Sequence, residues 1–308
     1  EYDWFKNLNN NFKDLDFEII KSRGKNPHII EQVIKYDRPD IILADENKIF
    51  LLVEKTREVP TGHNVGQRMA RLIRAVELGI PTIYFCPFKA KKHGKYSSIC
   101  YMNARLFKCF YKIWDIHKSA IHLLNWRCDY DGELINDGSE DKEIKEIINL
   151  YVLNNYKVEE NILKSIKENL LIEYNKSLES FKQYGKPPPS ISINKTSSII
   201  KNIGNIDTLE KTKLLKNLES VLYKIEMKES KTAKRQDPYT GMQFIYDYLY
   251  CRKGVSSEDK YRNLILHFPK ISKNFWLSIN SNNYMSKSSN WYLTANGMLF
   301  KDGYFSIR

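Results

Sequence analysis

Two carboxylates stand fourteen residues apart in a stretch otherwise given over to strand formers. Asp40 follows a proline at the head of Ile41-Ile-Leu-Ala44, and Glu54 closes the apolar run from Ile49 to Val53. Asp45-Glu-Asn47 between the two runs reads as a tight turn, so they should form a hairpin. Paired strands lie about 4.8 Å apart, close enough for two carboxylates to converge on one hard cation. A divalent ion held by two carboxylates keeps coordination positions for a phosphate oxygen and a water. It would polarise the phosphate and lower the pKa of the water. Phosphodiester hydrolysis with Mg2+ is the chemistry this pair suits. Each residue also has a purely structural use: Asp40 as a turn acceptor, and Glu54 as the partner of Arg57 or Arg71.

The elements that must position the pair are legible as alternating short runs. Phe17 to Lys21 is strand-like, His28 to Lys35 is a short helix or strand, and Pro39 to Ala44 and Lys48 to Thr56 are the two strands of the hairpin. Val65, Met69, Leu72, Ile73 and Val76 then recur on one helical face. Asn64 with Gln67 three residues on reads as a capping box, and Gly79 followed by Pro81 should stop the helix. Ile80 to Cys86 is apolar throughout, a strand buried on both faces. These elements predict an α/β core with a mixed sheet flanked by helices over residues 1–125. A mainly helical region is expected over 126–230, broken at Gly185-Lys-Pro-Pro-Pro-Ser190, with one helix running from Thr208 to Met227. A basic, aromatic-rich segment fills 231–308, where 15 aromatics in 78 residues could build a core of their own. Ser278 to Asn290 reads as a loop.

This arrangement resembles the PD-(D/E)XK nuclease superfamily, and within it the type II restriction endonucleases. The resemblance covers roughly residues 17–90 and rests on Pro39-Asp40, on Val53-Glu54-Lys55-Thr56 and on the helix after them. It implies a restriction-endonuclease-like core with Asp40 and Glu54 as Mg2+ ligands. Glu31 would be the additional carboxylate some members carry, and Gln67 a polar residue beside the metal. As plain structure, Glu31 is a solvated helix residue and Gln67 a cap. The family pattern puts a lysine two residues after the second acid, because strand residues two apart share a face. That position is Thr56 here, and Lys55 points to the opposite face unless a bulge re-aims it. The residue that orients the attacking water stays open among Lys55, Thr56 and Gln67.

Other chemistries find no support. His63 near Arg57 has no serine or cysteine placed to serve as nucleophile. No HxxxH or HxH spacing joins the six histidines, and no GxxxxGK[ST] loop occurs. Five cysteines without a CxxC pair suit a reducing cytosol and argue against a disulfide framework or a thiolate zinc site. No run approaches the roughly 18 apolar residues that span a bilayer. No basic-then-apolar leader is expected, while the missing initial Met and the abrupt end at Arg308 suggest a chain trimmed from a longer protein.

Charge points to the partner. Lys and Arg number 49 against 37 Asp and Glu. Residues 1–125 carry 21 basic and 14 acidic, 126–230 carry 16 and 18, and 231–308 carry 12 and 5. Two basic ends around a near-neutral middle suit a polyanion, nucleic acid above all, which the resemblance makes double-stranded DNA. The run from Lys89 to Lys118, opening with Lys89, Lys91, Lys92 and Lys95, reads as a phosphate-gripping loop. Arg68, Arg71 and Arg74 on the helix would add to that grip. In the last segment Lys234, Arg235, Arg252, Lys253, Lys260 and Arg262 stand among tyrosines, and Arg252 and Lys253 are the expected base readers. The sequence therefore leads to a cytoplasmic, metal-dependent, site-specific DNA endonuclease. A palindromic target would imply a homodimer. The rivals are a DNA-binding protein that kept the fold without catalysis, and a nuclease that is junction-directed or indifferent to sequence.

Overall fold

The computed structural model describes residues 1–21, 26–92, 98–230, 237–280 and 293–307. The chain divides into two compact units, Glu1–Ser180 and Phe181–Arg308. The division falls just before the Gly-Pro-rich break, where the composition shifts.

The first unit opens with two short helices, α1 (Tyr2–Lys6) and α2 (His28–Val33). The strand expected at Phe17 to Lys21 does not form. That stretch has no ladder partner among the described residues, and Phe17 and Ile19 are 57% and 77% exposed. Without a partner its period-2 pattern has no sheet face to bury. The hairpin does form, from β1 (Ile41–Ala44) and β2 (Ile49–Lys55), paired antiparallel with Ile41 opposite Val53. Next come α3 (Gly62–Glu77) and the fully buried β3 (Thr82–Cys86). Thr61, three residues before the expected Asn64, caps α3: its hydroxyl accepts from the Asn64 amide at 3.3 Å. Gly79 closes the helix at φ +70°, a conformation that suits glycine.

The lysine-rich stretch after β3 is strand before it is loop. β4 (Lys89–Lys91) pairs antiparallel with β5 (Ile99–Tyr101), and Lys95 lies outside the described residues. α4 (Ala104–His117) and β6 (Ile121–Asn125) complete the core. The sheet order is β1-β2-β3-β6, with β2, β3 and β6 parallel. It is a mixed sheet flanked by helices, as the alternation of elements predicts. Leu51, Leu52, Val53, Ile83, Phe85 and Phe110 are solvent-free, each contributing about 1.5–3 kcal/mol by burial. Two further helices, α5 (Lys142–Leu153) and α6 (Glu160–Ser180), end the unit, and α6 packs along α4.

The second unit is built on β7 (Ile191–Lys195), followed by α7 (Thr196–Lys201), α8 (Thr208–Leu215) and β8 (Glu219–Lys224). The single helix expected from Thr208 to Met227 thus breaks into a helix and a strand. Val221 and Tyr223 alternate as buried residues, and β8 pairs with β7 on one side. A helix through these residues would forfeit that ladder. α9 (Asp237–Tyr250), β9 (Arg262–Phe268), α10 (Lys273–Asn280), β10 (Gly297–Phe300) and β11 (Phe305–Ile307) follow. The sheet runs β11-β10-β9-β8-β7, with β8, β9 and β10 parallel and an antiparallel strand at each edge. Ser278 lies in α10, and the rest of the expected Ser/Asn loop, from 281, is outside the described residues. Many of the aromatics serve packing, as in the stack of Phe268 on Phe300.

Candidate functional site

The hairpin register sets Asp40 and Glu54 side by side at the end of the β1–β2 ladder. Each is fastened to the other strand's backbone. The Asp40 amide donates to Glu54 Oε2 at 3.1 Å, and the Lys55 amide donates to Asp40 Oδ2 at 2.9 Å. The two remaining oxygens, Asp40 Oδ1 and Glu54 Oε1, face a single cationic nitrogen. Arg71 Nη1 lies 2.6 Å from Glu54 Oε1 and 3.5 Å from Asp40 Oδ1. The convergence expected from the strand spacing is present, and a guanidinium stands at its focus.

Helix α3 supplies that guanidinium because it packs on the β2–β3 face that carries Glu54. Arg68 and Arg71, one turn apart, both reach the carboxylate. Arg68 Nε is 3.8 Å from Glu54 Oε1 and, although buried, has no hydrogen-bond partner. Its Nη1 is held by the Asn64 carbonyl at 3.2 Å and by Gln67 Oε1 at 2.8 Å. Arg71 extends outward through Nε to Asp37 Oδ2 at 3.0 Å. It therefore bridges a side chain that is 1% exposed, Glu54, to one that is 41% exposed, Asp37.

Burial sets the protonation balance. It pushes the Glu54 carboxyl up to about 8, against the pull of the Arg71 charge. Burial also raises Asp40, while the Lys55 amide draws it back. Burial works to lower Arg71, but Glu54 and Asp37 outweigh it and raise the guanidinium above its ordinary value.

Asp40 and Arg71, but not buried Glu54, line a groove of about 1040 Å³. Seven acidic residues border it, against Lys6, Arg38 and Arg71. Such a surface concentrates cations and repels a bare phosphate backbone.

The neighbouring residues fall elsewhere. No bulge re-aims Lys55, for β2 and β3 stay in regular register through Glu54–Tyr84 and Lys55–Phe85. The Lys55 ammonium lies on the opposite face, 3.7 Å from the Trp4 ring centre and 4.5 Å from that of Trp126. Burial lowers its pKa there. Trp4 in turn donates to Asp141 Oδ2 at 2.9 Å. Lys55 is thus a clasp between α1 and the sheet, on the far side from the carboxylates. Thr56 shares the face of Glu54 by alternation, but its hydroxyl accepts from the Glu58 amide at 3.2 Å. Gln67 holds Arg68. Glu31 accepts from Asn26 Nδ2 at 2.6 Å and is not joined to the pair. Arg74 binds the Gln32 carbonyl at 2.9 Å and Glu77 at 3.2 Å. Arg57, the other expected partner of Glu54, instead reaches Asn136 at 3.3 Å.

The expected grip is only partly exposed. Lys91 pairs with Glu133 at 3.5 Å, and Lys89 and Lys91 are half-buried strand residues, while Lys92 is exposed. In the second unit Arg252 corrects the expectation directly. Its side chain is 1% exposed, bound to the Gly254 and Val255 carbonyls and 3.8 Å from Asp247, so it has no route to a base edge. Lys260 is equally buried, 2.7 Å from Asp247. Lys253 pairs with Asp259 at 3.4 Å and Arg262 with Glu219 at 2.8 Å, while Lys234 and Arg235 lie outside the described residues. An arginine beside tyrosines carries the same composition signal whether it reads a base or satisfies a buried aspartate.

The sequence offered Arg71 as one partner of Glu54, and the structure bears that out; what it did not assign is the approach of Arg68 to the same carboxylate. The i, i+3 spacing of Arg68 and Arg71 facing an acid-ended strand was the available signal. Among the described residues no group of three or more His, Cys, Asp or Glu is placed to hold a metal. Two carboxylates and open groove space fit a hard divalent ion as a partial ligand set, which water or phosphate oxygens would complete. No helix among the described residues is long and apolar enough to cross a membrane, and the five cysteines are free thiols. No family model, no curated protein and no solved structure matches the chain.

Proposed function

We propose that the chain is a metal-dependent endonuclease acting on double-stranded DNA, with a core of the PD-(D/E)XK restriction type. The observation that carries this reading is the aim of Asp40 Oδ1 and Glu54 Oε1 at one cation position, reached from the head of one strand and the end of the next. The antiparallel hairpin, followed by a helix and a strand parallel to β2, agrees with the resemblance seen in the sequence. Asp40 and Glu54 would hold Mg2+, which when bound supplies Lewis-acid polarisation of a phosphate and a more acidic water. The backbone amides of Asp40 and Lys55 fix the orientation of both carboxylates. Arg68, buried beside Glu54, adds a second positive charge behind the carboxylates.

A second reading has its own support. Thr56 stands where the family lysine would be, and Arg71 already occupies the focus of the pair, which suits a DNA-binding protein without catalysis. Incubating a mixed plasmid pool with the protein and Mg2+ separates the readings. Discrete fragments support a restriction enzyme and a smear a nuclease without sequence preference. Intact plasmid retarded in a gel supports binding alone. Asp40→Ala and Glu54→Ala should each abolish cutting while DNA retardation persists, and cutting by either variant would remove the pair from the active site.

A further inference from the structure

We infer that Arg71 is a displaceable counter-cation: it holds Asp40 and Glu54 converged until a divalent ion takes its place, and it then retires along Asp37 into the acidic groove. The inference rests on the metal-dependent reading above and names how that site is regulated.

Four observations carry it. Arg71 Nη1 occupies the focus of the two carboxylates, where two positive charges cannot coexist at contact distance. Glu54 is 1% exposed and its two cationic neighbours, Arg71 and Arg68, both come from α3, so Arg71 is the charge an arriving ion would meet first. Arg71 has an exit. Its side chain is 26% exposed, and its Nε already rests on Asp37, 3.0 Å away at the outer end. Pivoting about that outer contact releases Nη1 without breaking every bond the guanidinium makes. Arg68, the other cation at Glu54, has no such freedom, because the Asn64 carbonyl and Gln67 hold it on its own helix. The acidic border of the groove favours both the arrival of a divalent ion and the departing guanidinium.

The exchange has a thermodynamic signature. A site that must first lose an internal cation binds its ion more weakly, by the fraction of molecules in which that cation has already moved. Removing Arg71 should therefore tighten Mg2+ binding, a result opposite to that expected for a residue that merely supports the site.

Titration calorimetry with Mg2+ on the full chain tests this. Wild type should bind weakly and Arg71→Gln at least tenfold more tightly, while Asp40→Asn should bind no ion in either background. Equal or weaker binding by folded Arg71→Gln, with Asp40→Asn still abolishing it, would overturn the inference and leave the metal reading standing. No Mg2+ binding by any variant would overturn both. A second measurement needs no substitution of the arginine in the protein tested. The 15Nε–1Hε resonance of Arg71, assigned by its loss in Arg71→Lys, should shift on Mg2+ titration of the wild-type chain, and saturation without a shift would equally overturn the exchange.

Discussion

Glu54 is the residue at which burial and charge are most opposed. Its carboxyl is raised by burial from 4.5 to about 8, so between those values the unfolded chain has lost a proton that the folded chain retains. Its contribution to stability is complete below about 4.5 and is lost as pH rises towards about 8. Glu54→Gln removes that dependence. Urea denaturation in chelator at pH 5 and pH 8.5 should show the variant gaining on wild type at the higher pH, and a constant difference would contradict the shift. Lys55 and Thr56 give a second prediction at this scale. A desolvated ammonium between two indoles is worth about 2 kcal/mol. Lys55→Met should therefore lower stability by about that amount while leaving Mg2+ binding unchanged. Thr56→Val removes the hydroxyl that accepts from Glu58 on the carboxylate face, and should disturb the ion site more than Lys55→Met does. The reverse order would mean that Lys55 reaches the pair across the sheet.

Helix α3 is the element on which the site depends, since Arg68 and Arg71 are delivered by its second and third turns. Its first turn is secured by the Thr61 hydroxyl on the Asn64 amide. The Asn64 side chain is occupied with the Val59 carbonyl at 2.9 Å. Thr61→Ala should cost about 1 kcal/mol, the usual worth of an N-cap. Thr61→Ser should restore most of it, as thermal denaturation would show. A loss confined to Asn64→Ala would return the cap to the position the sequence pattern suggests. Periodicity identified the buried face of α3 correctly, because Met69, Leu72, Ile73 and Val76 are core residues. It missed the cap by a turn because Gly62 and His63 carry no apolar signal.

The whole molecule comprises two units, each with its own sheet and its own buried core. The first contains every residue of the carboxylate site, from Asp37 on the approach to β1 to Arg71 on α3. Residues 1–180 produced alone should therefore unfold cooperatively and bind Mg2+ with the affinity of the full chain. Circular dichroism and calorimetry on the fragment would check both, and a fragment without cooperative unfolding would make the second unit part of the first unit's fold. The division also bears on DNA. Of the two cations expected to read bases, Arg252 is committed to buried Asp247 and Lys253 is paired with Asp259.

By itself the sequence determined the elements whose signal is local. The period-2 runs around Asp45-Glu-Asn47 specify a hairpin, and once the hairpin exists its register obliges Asp40 and Glu54 to meet. The alternation of short strands with an amphipathic helix likewise specifies a mixed sheet with helices packed on it. Tertiary structure decided what depends on a partner remote in sequence. Phe17 to Lys21 found no ladder to join, while Glu219–Lys224 found one and left the helix that its neighbours favoured. Lys55 and Arg252 carry charges that could equally serve phosphate. Only packing consigned the first to Trp4 and Trp126 and the second to a buried aspartate. Arg71 is the clearest case. The sequence offers it and Arg57 alike as partners of Glu54 and does not choose between them. The crossing of α3 over β2 brings its guanidinium to 2.6 Å from the carboxylate, a contact that only the packing of helix on sheet creates.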